Sequence, residues 1–184
     1  MPYFRKILGE RLYLSPFDAE DPESYAKWAE WMNERTVADN YGGYSNLVSL
    51  SSAKKTVAEL GGKRFDMVLL DGDVHIGHIS IHDIDHLHRH AFLGIVIGEE
   101  RHRNKGYGAE AIRLALEYGF KTLNLHTIML SVHADNDAAI ACYKKVGFRE
   151  CGRRREWIFQ NGKYLDVIYM GVLEGEFGGM PGSC

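Results

Sequence analysis

Cysteine is scarce in this sequence of 184 residues: its three cysteines, Cys142, Cys151 and Cys184, are odd in number and lack metal-ligand spacing. That argues against both a disulfide framework and a zinc knuckle, and a reducing, cytoplasmic setting is the expectation. An excess of charge of one sign is also missing. With a net charge of -3, the chain carries no general basic field for neutralising nucleic-acid phosphates. No segment approaches the roughly 20 apolar residues of a membrane span, and the stretch before Leu14 holds no uninterrupted apolar core of a signal peptide. Gly-x-x-x-x-Gly-Lys-Ser/Thr occurs nowhere, which argues against a P-loop nucleoside triphosphatase. What is present, 45% hydrophobic, 11% aromatic and 26% charged residues, is the make-up of a soluble globular chain.

Apolar periodicity sets out the elements. Arg11-Leu12-Tyr13-Leu14 alternates briefly before Ser15-Pro16, as a short strand stopped by a turn does. Asp18 or Asp21 caps a helix carrying Tyr25, Trp28, Ala29 and Met32 at i, i+3, i+4 and i+7, ending before Tyr41-Gly42-Gly43. Ser51 or Ser52 caps a second helix, through Val57 and Leu60 to Gly61-Gly62. The period then changes. Phe65–Leu70 and Val74–Ile81 read as strands joined at Asp71-Gly72-Asp73, a hairpin signal because Asp-Gly tolerates positive φ. Ala91–Ile97 is a nearly continuous apolar run, the mark of a strand covered on both faces. Tyr107, Ala111, Leu114, Ala115 and Tyr118 place a helix over 106–121, and Thr127–Val132 a strand after it, so the two flanking strands should be parallel. A further helix, capped at Asp135 or Asn136, runs to Gly147 before strands around Phe148–Phe159 and Tyr164–Leu173 that flank Asn161-Gly162. Residues 1–175 are expected to form one domain and 176–184 a disordered tail.

The loop Glu99–Gly108 lies between the buried strand and the 106–121 helix, so its backbone N–H groups point outward from a helix N-terminus and suit an anion. Gly106 and Gly108 remove Cβ atoms that would hold a phosphate away, and Arg101, Arg103 and Lys105 add positive charge. A diphosphate is the natural guest. Gly106-Tyr107-Gly108-Ala109-Glu110-Ala111 also satisfies a loose dinucleotide pattern, which leaves an NAD(P)-binding oxidoreductase as a competitor. Its surroundings disagree: a basic segment separates Ile97 from Gly106, and Ile128, Met129 and Leu130 stand where the ribose-binding acid belongs.

Arg103-Asn104-Lys105-Gly106-Tyr107-Gly108 resembles the Gln/Arg-x-x-Gly-x-Gly/Ala acetyl-CoA motif of the GNAT N-acetyltransferases. Asn136-x-x-Ala139-x-x-x-Tyr143-x-x-x-Gly147-Phe148 resembles their second signature. Leu123-Asn124-Leu125-His126 and Asn161-Gly162-Lys163-Tyr164-x-Asp166-Val167-x-x-Met170 are most similar to the branch holding ribosomal-protein N-terminal and spermidine acetyltransferases. The resemblance implies an α+β, three-layer fold: a mixed central sheet of about six to seven strands with helices on both faces. It implies transfer of the acetyl group of acetyl-CoA directly to a primary amine, either a protein N-terminus or a polyamine or other small amine, with no metal. It further implies that amides of Arg103, Asn104, Lys105, Gly106, Tyr107, Gly108 and Ala109 bind the pyrophosphate of CoA. The pantetheine arm would lie along Val96, Ile97 and Gly98, with Asn136, Ala139, Tyr143 and Lys145 completing the cofactor site.

Tyr143 is the candidate general acid, because a phenol of reference pKa about 10 is protonated at neutral pH and can donate to a leaving thiolate. Asn136, Ala139 and Tyr143 would share one helical face. Glu34, Glu99, His133 and a water chain are the candidates for the base. Glu30, Glu34 and Asp39 either form an acidic wall for a cationic amine or are solvated helix charge. Six of the nine histidines lie between His75 and His90, and His86, His88 and His90 would share a face if extended. The stretch reads as a hairpin turn, and no metal site is expected. Arg153-Arg154-Arg155 reads as a solvated strand face and Cys142 as buried packing. A non-catalytic acetyl-CoA-binding module is the remaining alternative, and exposed strand edges make a homodimer the expected assembly.

Overall fold

In the computed structural model, which describes residues 3–18, 20–41, 47–59 and 62–179, eight strands form one sheet in the order β1-β2-β3-β4-β5-β6-β8-β7. They are β1 (Ile7–Leu8), β2 (Leu12–Pro16), β3 (Lys63–Leu69), β4 (His75–Asp85), β5 (His90–Ile97), β6 (Thr127–His133), β7 (Arg149–Gln160) and β8 (Lys163–Leu173). The eighth strand, beyond the six to seven expected, is the two-residue β1, which pairs Ile7 with Leu14. All neighbours are antiparallel except β5 and β6, joined by a crossover helix as the strand-helix-strand pattern requires. The tight turns follow their chemistry: Gly72 and Asp73 take φ 74° and 50°, Asn161 and Gly162 φ 51° and 79°.

The helices are α1 (Pro22–Asn33), α2 (Arg35–Tyr41), α3 (Leu50–Glu59), α4 (Tyr107–Glu117) and α5 (Asp137–Val146). Asp21 caps α1 by accepting from the Ser24 N–H at 2.8 Å. Where one helix was expected up to Tyr41, the chain breaks at Glu34, whose backbone is extended (φ -80°, ψ 122°) and whose carbonyl accepts from Val37 and Ala38 to start α2. The cap of α3 is Ser49, not Ser51 or Ser52: Ser49 Oγ accepts from the Ser52 N–H at 3.1 Å. Gly42, Gly43, Leu60, Gly61, the Val57 side chain and Cys184 lie outside the described residues.

Two apolar layers sandwich the sheet. One packs Leu12, Leu14, Phe65, Met67, Ile79 and Ile81 under Ile112, Leu116 and Phe148; the other packs Val96 under Trp28, Trp31 and Met32 of α1. Alternation along each strand separates the two sets. The described chain continues past residue 175: Arg149 pairs with Glu176 at 2.7 Å, and the Phe177 ring lies tilted 5.6 Å from that of Phe120. No helix among the described residues is long and apolar enough to cross a membrane.

Candidate active site

β5 and β6 pair only at His90–Thr127, Ala91–Ile128 and Phe92–Met129, although β5 continues to Ile97 and β6 to His133. Beyond Phe92 the two strands part, opening a crevice at their carboxyl ends of the kind open α/β sheets use for ligands. The glycine loop stands at its mouth. Gly106 caps α4 with φ 83°, a left-handed conformation that favours glycine, and Gly108 lies where a Cβ would meet Ile97 Cδ1 at 3.5 Å and Cys142 Sγ at 3.9 Å. The end of β5, the start of α4 and the flank of α5 therefore converge within one glycine's width. Gly98 closes the corner from below, because a Cβ there would fall 2.0 Å from Cε2 of Trp31.

The cations do not all face the crevice. Arg103 Nε and Nη2 donate to the carbonyls of Ile97 and Gly98 at 3.1 and 2.7 Å, tying the loop to β5, while Arg101 pairs with Glu99. Among the main-chain amides expected to face the anion, that of Arg103 is taken by the Glu100 carbonyl at 2.9 Å; Asn104, Lys105 and Gly106 are exposed and Ala109 is buried. Lys145 is exposed in the last turn of α5. Two residues not anticipated as part of the site hold the loop in place. Glu110, only 6% exposed, accepts from the N–H groups of Arg11 and Leu12 at 2.8 and 3.3 Å and from Arg11 Nε at 2.9 Å. Arg11 Nη1 in turn donates to the Lys105 carbonyl at 2.9 Å, and its guanidinium lies 4.9 Å over the Tyr107 ring. The clue was available: Glu110 is an acid inside the stripe Tyr107–Glu110–Leu114, where only a partnered charge is buried.

Asn136 is the N-cap of α5 and not a member of its helical face. Its Oδ1 accepts from the Ala139 N–H at 3.1 Å, and its Nδ2 donates to Asn40 Oδ1 at 3.0 Å, so the amide joins α5 to α2. Ala139 and Tyr143 follow on the helix and pack against the main core, with the Tyr143 ring 6.0 Å from Phe148. Burial pushes the Tyr143 phenol well above its usual value, helped by Cys142 and by Tyr41 of α2, so it is a proton donor at neutral pH. Cys142 is half-buried and its thiol is likewise pushed up by burial, which keeps it inert.

Among the acids, burial raises Glu99, but the pairing with Arg101, the Lys27 ammonium at 3.6 Å and His102 at 3.8 Å outweigh it and hold the carboxyl below its usual range. Its lone pairs are engaged. Glu34 lies at the α1–α2 break and accepts from the Thr36 hydroxyl at 2.8 Å; Glu30 is exposed on α1, and Asp39 pairs with Arg35 at 3.4 Å and accepts from Asn161 Nδ2 at 3.3 Å. His133 ends β6 beside the crevice. A small cavity lies between α1, α2 and the sheet, lined in part by Phe17, Trp28, Tyr41 and Arg64. His86, His88 and Arg89 occupy the β4–β5 turn, and the His88 and His90 rings stack.

Comparison with known proteins agrees with this geometry. The chain matches the acetyltransferase (GNAT) domain over residues 11–149. It is 39% identical over 102 residues to spermidine N(1)-acetyltransferase of Vibrio cholerae, a match covering 55% of this chain and 58% of that protein's length. A Bacillus subtilis protein named provisionally as a ribosomal N-acetyltransferase is 28% identical over 174 residues, 90% of this chain and 91% of its own. The crystal structure of spermidine N-acetyltransferase from Vibrio cholerae in complex with CoA and spermine superposes with a TM-score of 0.77 at 29% identity, covering 90% of this chain and 97% of that one. With its splayed parallel strands, its glycine loop on a helix N-terminus and its buried phenol, the chain belongs to the GNAT family of acetyl-CoA-dependent N-acetyltransferases.

Proposed function

We propose that this chain acetylates a polyamine, binding acetyl-CoA in the β5–β6 crevice and the amine between α2 and α5. The parting of β5 from β6 after Phe92 beside an amide-lined helix N-terminus carries the reading, because it supplies a strand edge and an anion cradle in one place. The residues fit the group: Gly106 starts α4 in a left-handed conformation that favours glycine, and Gly108 keeps a Cβ out of the space between Ile97 and Cys142. When bound, acetyl-CoA supplies an activated thioester. The amides of Asn104 to Ala109 would hold its diphosphate, with the Arg103 N–H spent on the Glu100 carbonyl; Val96, Ile97 and Gly98 would align its arm, and Lys145 would add charge at the flank. Tyr143 keeps its proton until a thiolate departs and then donates it.

The Asn40–Asn136 contact and the Asp39–Asn161 contact set α2 across the crevice from α5, so the carboxylates of Glu34 and Asp39 border the amine's path and attract a cation. The names of the relatives support the polyamine over the peptide N-terminus. β7, the last strand of the sheet, exposes Trp157 and Phe159 by 59% and 66%, which supports a homodimer as the working unit. Thiol release from acetyl-CoA, measured with spermidine, a basic peptide with a free N-terminus and an aminoglycoside, tests the reading. Turnover with spermidine is the expected result; turnover with the peptide alone overturns the polyamine, and stabilisation by NAD(P) without any by CoA overturns the transferase.

A further inference from the structure

Outside the crevice, three buried ligand-type side chains meet on the α1 face of the sheet. β3 and β4 place Asp66 opposite His78, and a register shift between Met67 and Val68 puts His75 opposite Val68. Regular alternation would send His75 and His78, three residues apart, to opposite faces; the bulge brings both to the face of Asp66. The Trp31 ring confirms this, lying 5.0 Å from the His75 ring and 5.2 Å from the His78 ring. Asp66 Oδ1 is 3.2 Å from His75 Nε2 and 2.8 Å from His78 Nδ1, and the three donor atoms lie within 4.8 Å of one another. Exposure is 0% for Asp66, 5% for His75 and 8% for His78.

Asp66 stands at hydrogen-bond distance from both imidazoles, but the alignment is poor: neither oxygen of Asp66 and neither ring nitrogen of His78 has a partner of proper hydrogen-bond geometry, a costly state for buried polar groups. A metal ion accounts for both facts at once. Metal–ligand bonds of about 2.1 Å arranged tetrahedrally hold the donor atoms roughly 3.4 Å apart; the 3.2 Å between Asp66 and His75 is close to that, and the 2.8 Å between Asp66 and His78 widens when an ion enters. His75 Nε2 is hydrogen-bonded to the Gly77 carbonyl at 3.0 Å; ligation moves that ring proton to Nδ1 and leaves the carbonyl beside the ion as a fourth donor.

We propose that Asp66, His75 and His78, with the Gly77 carbonyl, form a closed structural site for a divalent metal ion, zinc by its donor set. Two imidazoles and a carboxylate suit zinc better than magnesium or calcium, which prefer all-oxygen shells. The surroundings leave no position for substrate: Trp28 and Trp31 of α1 and Phe17 cover the rings. The ion bridges β3 to β4 under α1 and so fixes Trp31, the same ring that backs Gly98, which makes it a brace for the end of β5.

Full-length protein stripped with EDTA and titrated with cobalt(II) tests the site directly. Expected are one equivalent bound, the visible absorption of a four-coordinate nitrogen and oxygen site without thiolate charge transfer, and a zinc-dependent rise in Tm of the wild type. His78→Ala weakens binding by about 100-fold, whereas the turn variant His86→Ala/His88→Ala binds as the wild type does. No uptake by the wild type, a thiolate spectrum, or loss of uptake in the turn variant alone overturns the proposal. Should His78→Ala not fold, the wild-type spectrum and Tm shift decide, and neither depends on acetyl transfer.

Discussion

The carboxylate of Glu110 in α4 grips Arg11 twice, through its backbone N–H at 2.8 Å and its Nε at 2.9 Å, and Arg11 in turn holds the Lys105 carbonyl at 2.9 Å. A residue ahead of β2 thereby sets the shape of a loop 94 positions along the chain. Hydrogen bonds to a charged group are worth about 1.5–3 kcal/mol each, most when the group is buried, as Glu110 is. Glu110→Ala should therefore destabilise the fold by about 3 kcal/mol and raise the KM for acetyl-CoA, with kcat less affected. Urea unfolding beside steady-state kinetics reads both; an unchanged KM would detach the pair from the loop.

Gly98→Ala places a methyl group 2.0 Å from the Trp31 ring, which is itself packed and cannot retreat. Overpacking of this kind costs about 1–3 kcal/mol, and here it also shifts the end of β5 into the crevice. We expect weaker CoA binding by calorimetry. Combined with Trp31→Leu, the damage should be less than the sum of the single variants, because the clash has lost its partner.

Tyr143→Phe should keep CoA affinity and lower kcat by about a hundredfold or more. The pH dependence follows from the direction of the shift. Burial raises the phenol above its ordinary value of 10.0, so the folded state holds the proton more tightly than the unfolded state. The stability from this group is complete below about pH 10 and lost as the pH climbs beyond it. Urea midpoints should fall less steeply above about pH 10 in the Phe variant than in the wild type, and kcat of the wild type should show no alkaline fall below that point.

Asn136→Ala removes the cap of α5 and its bond to Asn40, costing about 1 kcal/mol or somewhat more. Asn136→Asp keeps an acceptor for the Ala139 N–H but loses the donor to Asn40. Recovery of Tm without recovery of kcat in the Asp variant would show that the link between α2 and α5 matters to turnover beyond holding the helix.

Much of the fold could be read locally. The turns at Asp71-Gly72-Asp73 and Asn161-Gly162, the parallel pair around α4 and the glycine loop all rest on neighbours in sequence, where turn chemistry, strand alternation and helical spacing act. The break at Glu34 was hidden, since nothing in Asn33-Glu34-Arg35 stops a helix; it forms where Asn33 Nδ2 reaches the Val48 carbonyl at 2.7 Å.

Local pattern and motif thus settled the family and the course of most elements, and put Tyr143 on α5 and Gly106 at the start of α4, because those depend on spacings of a few residues. Tertiary structure alone decided that Arg103 ties the loop to β5, that Asn136 binds α2, that Glu110 anchors Arg11 and that Trp31 lies behind Gly98. It also turned His75 to the side of Asp66, through a bulge with no mark of its own in the sequence. Each of these joins residues distant in the chain or depends on register, and only packing of the whole sheet against its helices selects one such arrangement.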